Sequence, residues 1–373
     1  MAVTLLVGSE ASTDNTSNNP RDVPAAVYEL EPDVAPLLTL LNKLGSEPAT
    51  NPKIEWLEDE PMPRITTLSA SAASNATSFG VTADYFRAGD VVRFTSTATG
   101  FAILVTATAA GSVSGVKVGG TAQASAANAS EVFIVSNANA EGATLREIKY
   151  PQLVTASNYA QNIRTPFGVT GTEEATKHYG GPERARLQNK FGKEHARSIE
   201  QTIFFGARDL TSTNQRMCGG VKEFISTNVT NDSGGTTEAE WQTFLKSGFR
   251  YGSTEKWAFC SPGAIAAIEG FARSNIQVVN DRGATYGIKM SQYVSGQGVV
   301  NLVLHRDWND SANYGGFVFL LDVEALKYRP LRDTRLRQNV QAPDYDGFKD
   351  EYLTELSLQV QHERKHALLT GVS

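Results

Sequence analysis

Five consecutive residues, His362-Glu363-Arg364-Lys365-His366, spell the H-E-x-x-H pattern of a zinc hydrolase. In that chemistry two imidazoles hold the metal and the glutamate acts as general base on a bound water. It requires a helix, because only there do residues four apart share a face and reach one ion. The residues in front of the motif read differently: Leu356, Leu358 and Val360 alternate with Glu355, Ser357, Gln359 and Gln361, the period-two pattern of a strand. Continued along that strand at about 3.3 Å per residue, the two histidines stand roughly 13 Å apart. No His, Asp, Glu or Cys follows His366 to supply a further ligand. The expectation is no metal and no cofactor.

The other chemistry-bearing groups are charged clusters. Arg186, Lys190, Lys193 and Arg197 follow the i, i+4, i+7, i+11 progression and line one helix face. They read as a solvated face, as a contact for nucleic-acid phosphates, or as a contact for acidic groups on a neighbouring copy. Arg329, Arg332, Arg335 and Arg337 form a second basic cluster around Pro330, in a segment read as interdomain. Glu55, Glu58, Asp59 and Glu60 form an acidic run, read as a solvated or copy-facing charged strand in preference to paired catalytic carboxylates. Opposite charge on one chain points to pairing between copies, which steers register more than it adds stability. Walker, G-x-G-x-x-G and G-x-S-x-G signatures are absent. Cys218 and Cys260 are too few for a disulfide framework or a four-ligand zinc site and are read as free thiols.

The elements that position these groups follow from periodicity. Residues 9–24 are Ser/Thr/Asn/Pro-rich and read as an arm that cannot fold alone. Leu37, Leu38, Leu40, Leu41 and Leu44 have near-helical spacing, a docking helix closed by Gly45. Residues 53–60 and 154–172 both read as extended, and are expected to pair as a long hairpin. Between them, residues 67–148 break into short β-like runs with turns at Gly111, Gly115 and Gly119-Gly120, which predicts an all-β insert. A helix opens at Pro182 and runs to about Ala207, with Leu187, Phe191, Ile199 and Ile203 as its core stripe. Residues 214–332 read as mixed α and β: helices over about 238–251 and after Ser261-Pro262, strands at 299–305 and 316–321.

With 373 residues, the chain exceeds the usual single domain of roughly 100–200. Hydrophobic residues at 40% and charged residues at 20% are ordinary globular values, and no apolar run is long enough for a membrane span. A net charge of −6 argues against a generic nucleic-acid binder, which needs a basic field. Met1–Gly8 lacks a basic leader and is too short for a signal-peptide core, so no secretion is expected.

Taken in order, the pieces resemble a known family, the tailed-bacteriophage major capsid (major head) proteins. The resemblance rests on Pro52-Lys53-Ile54-Glu55-Trp56-Leu57-Glu58-Asp59-Glu60, Asn158-Tyr159-Ala160-Gln161-Asn162, Val169-Thr170-Gly171-Thr172 and Ile199-Glu200-Gln201-Thr202-Ile203-Phe204-Phe205-Gly206. It rests also on Met217-Cys218-Gly219-Gly220-Val221, Leu321-Asp322, Arg329-Pro330-Leu331-Arg332, Glu355-Leu356-Ser357-Leu358 and Arg364-Lys365-His366-Ala367. It spans nearly the whole chain from about residue 30, and the order of the motifs carries it.

The resemblance implies an α+β, HK-ninety-seven-type capsid fold with an inserted all-β domain. Its parts would be an N-terminal arm (1–49), an extended loop (50–66 and 149–172) carrying the insert (67–148), a peripheral domain with a long spine helix (173–213 and 333–373) and an axial domain (214–332). It implies a non-enzymatic subunit that self-assembles into hexamers and pentamers around phage double-stranded DNA. Candidate partners are scaffold, portal and decoration proteins and, non-specifically, the packaged DNA, with no membrane; assembly would occur in the host bacterial cytoplasm. The alternatives are another virion part, a decoration or tail-tube protein, and, further off, a carbohydrate-binding module.

Overall fold

A computed structural model describes residues 35–44, 46–95, 102–119, 125–178, 181–211, 214–232, 236–275, 291–308 and 315–372. The arm expected over residues 9–24 lies outside them. The chain divides into two compact units, Met1–Trp56 with Ser157–Ser373, and Leu57–Ala156.

Helix α1 (Pro36–Leu44) puts Leu37, Leu38, Leu40 and Leu41 into the core of the larger unit. Proline opens the helix, where its missing N–H is not needed. The N–H groups of Leu37 and Leu38, which have no acceptor inside the helix, donate to the two carboxylate oxygens of Glu200 at 2.9 and 2.8 Å. Strand β1 (Lys53–Glu58) follows, with Ile54 and Trp56 buried between exposed Lys53, Glu55 and Leu57.

The insert Leu57–Ala156 contains strands and no helix among its described residues. Strands β2 (Ile65–Thr67), β3 (Ser78–Gly80), β4 (Asp90–Phe94), β5 (Ala102–Ala109), β6 (Ser112–Val118) and β7 (Glu131–Asn137) form one antiparallel sheet in the order β2-β7-β4-β5-β6-β3. The alternation in β4 buries Val92 and Phe94, which join Phe79, Phe86, Ile103, Val105, Val113 and Val132 in a compact core. Gly111 turns the β5–β6 hairpin at φ +74°. Gly115, expected at a turn, lies instead inside β6, where a Cβ would stand 2.4 Å from the Leu104 carbonyl oxygen. Glycine is needed there for close backbone approach.

The chain re-enters the larger unit along β8 (Val154–Tyr159), which pairs with β1. The expected hairpin is therefore shorter than its sequence signal. The rest of that extended stretch, β9 (Gln161–Thr170), joins a different sheet. After α2 (Gly171–Ala175), capped by the Thr170 hydroxyl, comes the long helix α3 (Glu183–Phe205). It ends at Gly206, where a Cβ would meet the Cys218 carbonyl oxygen at 2.2 Å. A ribbon of β10 (Asp209–Leu210) and β11 (Arg216–Met217), helix α4 (Val221–Phe224) and strand β12 (Val229–Asn231) lead to α5 (Glu238–Gly248), opened by a Thr237/Glu240 capping box. Strand β13 (Glu255–Cys260) precedes α6 (Pro262–Asn275), whose Ala264 N–H is accepted by the Ser261 hydroxyl as the sequence predicts.

The remaining strands are β14 (Ser291–Ser295), β15 (Gly298–Leu304), β16 (Val318–Leu321), β17 (Leu326–Arg337), β18 (Gly347–Val360) and β19 (Ala367–Thr370). They build a mixed sheet in the order β12-β19-β16-β13-β15-β14 and an antiparallel sheet in the order β17-β18-β9. One hydrophobic core joins α1, α3, β17 and β18 around Phe204, Trp308 and Phe319; a second lies around Trp241, Phe244 and Val300.

Candidate assembly surfaces

The H-E-x-x-H residues are neither α-helix nor strand. Strand β18 stops at Val360, His362 takes φ +52°, and Glu363–Lys365 form a single 3₁₀ turn. The expectation that the motif continues the strand is thus corrected: the left-handed residue turns the chain out of the sheet. Each group then has local work. The Glu363 carboxylate accepts the Ser226 N–H and hydroxyl, both at 2.7 Å, together with the Thr227 N–H and hydroxyl. Burial works to raise its pKa, but these hydrogen bonds outweigh it and hold the carboxyl below its usual range. His366 is fully buried, and its Nδ1 accepts the Asp322 N–H at 3.3 Å. Burial first, then the Lys256 and Lys365 charges, push its pKa down to about 3, so the ring is neutral. Among the described residues no group of three or more His, Cys, Asp or Glu is placed to hold a metal ion.

The spine helix α3 lies against one face of the β17-β18-β9 sheet. Arg184 grips Asp350 with two hydrogen bonds of 2.8 Å and stacks on Phe348, the Tyr352 hydroxyl donates to the Gln188 carbonyl, and His195 bridges Thr165 and Thr354 at 2.8 and 2.7 Å. Phe167 stacks on Phe191 at 5.6 Å. The predicted stripe does lie along this helix, but at least two of its four cations are matched within the chain. Arg186 binds Glu183, and Arg197 forks onto Asp307 at 2.7 and 3.1 Å. Lys190 and Lys193 are exposed.

The second cluster, read as interdomain, lies on a strand. Its arginines stand on β17, and the sheet face opposite α3 is a grid of charge. Strand pairing sets Arg332 beside Glu355 and Asn162, Arg335 beside Leu353 and Arg164, and Arg337 beside Glu351 and Pro166. Glu355 accepts from Arg332 at 2.7 Å and from Arg216 at 2.6 Å; Glu351 accepts from Arg337 at 2.8 Å and from Arg164 at 2.6 Å. Arg329, further along, donates to Gln359 and pairs with Glu47. The alternation read in β18 is real, but its polar face is covered by guanidinium groups and not by water: Glu351 and Glu355 are both 4% exposed. A partner strand 14 or more residues away supplied that cover, which no local pattern announces.

In the acidic run Glu55, Asp59 and Glu60 are exposed and Glu58 is half-buried; Glu55 pairs with Lys53 at 2.5 Å. One surface has no signal in the sequence reading. Residues 143–153 form an irregular strap before β8. Arg146 binds the Asp90 carboxylate and the Ala88 carbonyl, while Lys149 donates to the Phe86 carbonyl at 2.8 Å and pairs with Asp84. Its cations thus hold it to the insert, while Leu145, Ile148 and Tyr150 are 87%, 72% and 77% exposed. Leu153 and Val154 continue the apolar line to the start of β8. Apolar groups outward and charges inward is the reverse of a finished surface, and contiguous exposed apolar residues mark interaction sites.

Comparison with known proteins identifies the family. The SU10 major capsid protein family matches residues 9–373. No curated protein sequence matches. Similar solved structures include a chain of Microbacterium phage Oxtober96, 10% identical, with a TM-score of 0.52 over 97% of this chain and 99% of that one. The capsid of an empty GTA particle is 9% identical, with a TM-score of 0.53 over 99% and 100%. The capsid asymmetric unit of cyanophage A-1(L) is 11% identical, with a TM-score of 0.55 over 97% and 99%. At these identities the likeness shows a common fold. The family match sets aside the decoration, tail-tube and carbohydrate-binding alternatives. The chain belongs to the SU10 major capsid protein family and is a structural protein of a bacteriophage head shell.

Proposed function

We propose that the chain closes into hexamers and pentamers of an icosahedral head around double-stranded DNA, and that its whole activity is assembly, with no catalytic step. The observation that carries this reading is the strap: Leu145, Ile148 and Tyr150 lie in the open while Arg146 and Lys149 face their own unit. An isolated protein gains nothing from that arrangement, whereas a neighbouring copy that covers these residues gains roughly 25 cal/mol per Å² of apolar surface. Repeated around a closed shell, each such contact adds to the next.

In this reading residues 1–49 are the arm, 50–66 and 149–172 the extended loop, 67–148 the insert, 173–213 and 333–373 the peripheral domain with α3 as spine, and 214–332 the axial domain. The acidic run Glu55–Glu60 and the β17 arginines serve contacts between subunits. Scaffold, portal and decoration proteins and non-specifically bound DNA complete the partner set, and assembly takes place in the host bacterial cytoplasm. Expression of the chain, alone and with its neighbouring genes, followed by negative-stain electron microscopy tests the reading. Closed particles, tubes or rings are expected, and removal of residues 52–64 should leave a soluble subunit that forms none. A chain that stays monomeric or dimeric under both conditions overturns it.

A further inference from the structure

The sheet of the insert has two faces, and its own core fills one of them. Val92 and Phe94 of β4 point into that core with Ile103, Val113 and Val132, so Val91 and Arg93 point the other way. On this second face strand pairing sets Ile65 beside Phe133 and Phe133 beside Arg93, and it sets Val91 beside Leu104 and Leu104 beside Val116. Ile65 and Val116 are 46% and 56% exposed, and the other four are half-buried. A sheet face turned to water ordinarily carries polar side chains. This one carries apolar side chains across five strands, with Arg93 on the middle one. Arg93 has no ion pair among the described residues, and Glu131, exposed at the rim of the same face, makes none with it.

The strap lies on the other side of this sheet. Arg146 and Lys149 tie it to Asp90 and to the Phe86 carbonyl; Asp90 shares the side of Val92 and Phe94, and Phe86 belongs to the core. Its exposed groups are Leu145, Glu147, Ile148 and Tyr150, one carboxylate among three apolar side chains, and Glu147 meets Lys149 only at 3.9 Å. Leu145 to Tyr150 is five steps, about 17 Å when extended, and the five strands from β2 to β6 are four spacings, about 19 Å. Strap and open face therefore match in length, and each sets a single central charge, of opposite sign, among apolar groups.

We propose that the strap of one copy lies across the open sheet face of the next copy's insert, with Glu147 on Arg93. The proposal rests on the shell reading above and names one pair of surfaces within it. Because the two surfaces lie on opposite sides of one sheet, each copy offers a strap on one side and a receptor on the other. Such a head-to-tail contact is the kind that closes rings. Face-to-face pairing of two open sheets instead sets Arg93 against Arg93 and ends in a closed pair.

Arg93→Glu in the full chain reads this contact. At low salt, where surface charge is least screened, the variant is expected to need roughly tenfold more protein than the parent to form particles, while its thermal unfolding matches the parent's. Glu147→Arg alone should show the same defect, and the two exchanges together should bring the threshold back toward that of the parent. Should Arg93→Glu fail to fold, Val116→Arg, at a side chain already in water, carries the test and should raise the threshold likewise. Variants that assemble like the parent overturn the proposal and leave the face to a partner other than this chain. So does a defect in Arg93→Glu that the double exchange does not relieve. Failure of the parent chain to assemble, alone and with its neighbouring genes, refutes the shell reading and the proposal with it, whereas the first two outcomes strike the proposal alone.

Discussion

The two units of the chain handle polar groups in opposite ways. In the larger unit many charges are taken inside and matched, although buried polar atoms of Asp232, His305, Trp308 and His366 have no hydrogen-bond partner among the described residues. Glu200 is fully buried and receives the first free N–H groups of α1, and the fully buried Lys256 ammonium donates to the carbonyls of Gly248, Tyr251 and Lys365. Glu351, Glu355 and Asp350 each lie under arginine. In the insert the buried polar residues among those described are Thr66 and Asp90 alone, and its strap leaves apolar side chains in water. Buried, satisfied polar groups make one arrangement cheaper than its competitors, since a misplaced carboxylate or ammonium pays the full desolvation cost. The larger unit is built to hold its shape alone. The strap leaves an apolar surface that the proposed shell would cover.

The sharpest break of that comparison lies in the larger core. Phe204 is fully buried against Phe259, Trp308 and Phe319, with ring centroids 4.8–5.5 Å apart. Phe204→Ala should destabilise the unit by about 3–5 kcal/mol in denaturant titration, since the cavity lies where surroundings collapse poorly. A loss under about 1 kcal/mol would mean this core is not rigid.

Next in size is the acid response of His366. Its unfolded form takes up a proton near the ordinary value of 6.5, whereas the buried ring resists protonation until about 3. Between those values the unfolded state binds more protons, so stability is present above 6.5 and falls as pH drops toward 3, by up to about 1.4 kcal/mol per pH unit. His366→Asn keeps an acceptor for the Asp322 N–H and loses this slope. The stability gap between parent and variant should narrow from pH 6.5 downward, and a gap independent of pH would refute the assignment.

The smallest effect on stability belongs to the strap, and it is the most telling. Leu145, Ile148 and Tyr150 replaced together by serine should change the unfolding free energy by no more than about 0.5 kcal/mol per site. Particle formation in electron micrographs should nevertheless be lost. Serine variants that assemble normally would show the strap to be an ordinary solvated loop.

Much of the fold was legible in local pattern. The leucine spacing of α1, Pro182 at the head of α3, the Ser261-Pro262 start of α6 and the alternation of β18 all describe what the chain does over a few residues, where propensity and periodicity act directly. The assembly surfaces were less legible. That Arg332 and Arg337 hold Glu355 and Glu351 depends on β17 and β18 pairing, and that Glu200 is buried depends on α1 docking across more than 160 residues of chain. The strap has no period at all, so its outward apolar residues looked like any loop.

By itself, then, the sequence determined the kinds of element, their order and the family they resemble, because helices, strands and caps are chosen by neighbours in the chain. Only the tertiary structure decided that His362 turns the zinc-like motif out of the sheet, that Arg186 and Arg197 of the spine stripe are paired with internal acids, and that the β17 arginines cover Glu351 and Glu355. Those outcomes are set by which distant groups meet. Charge and apolar surface count as available only after every partner within the fold has been matched.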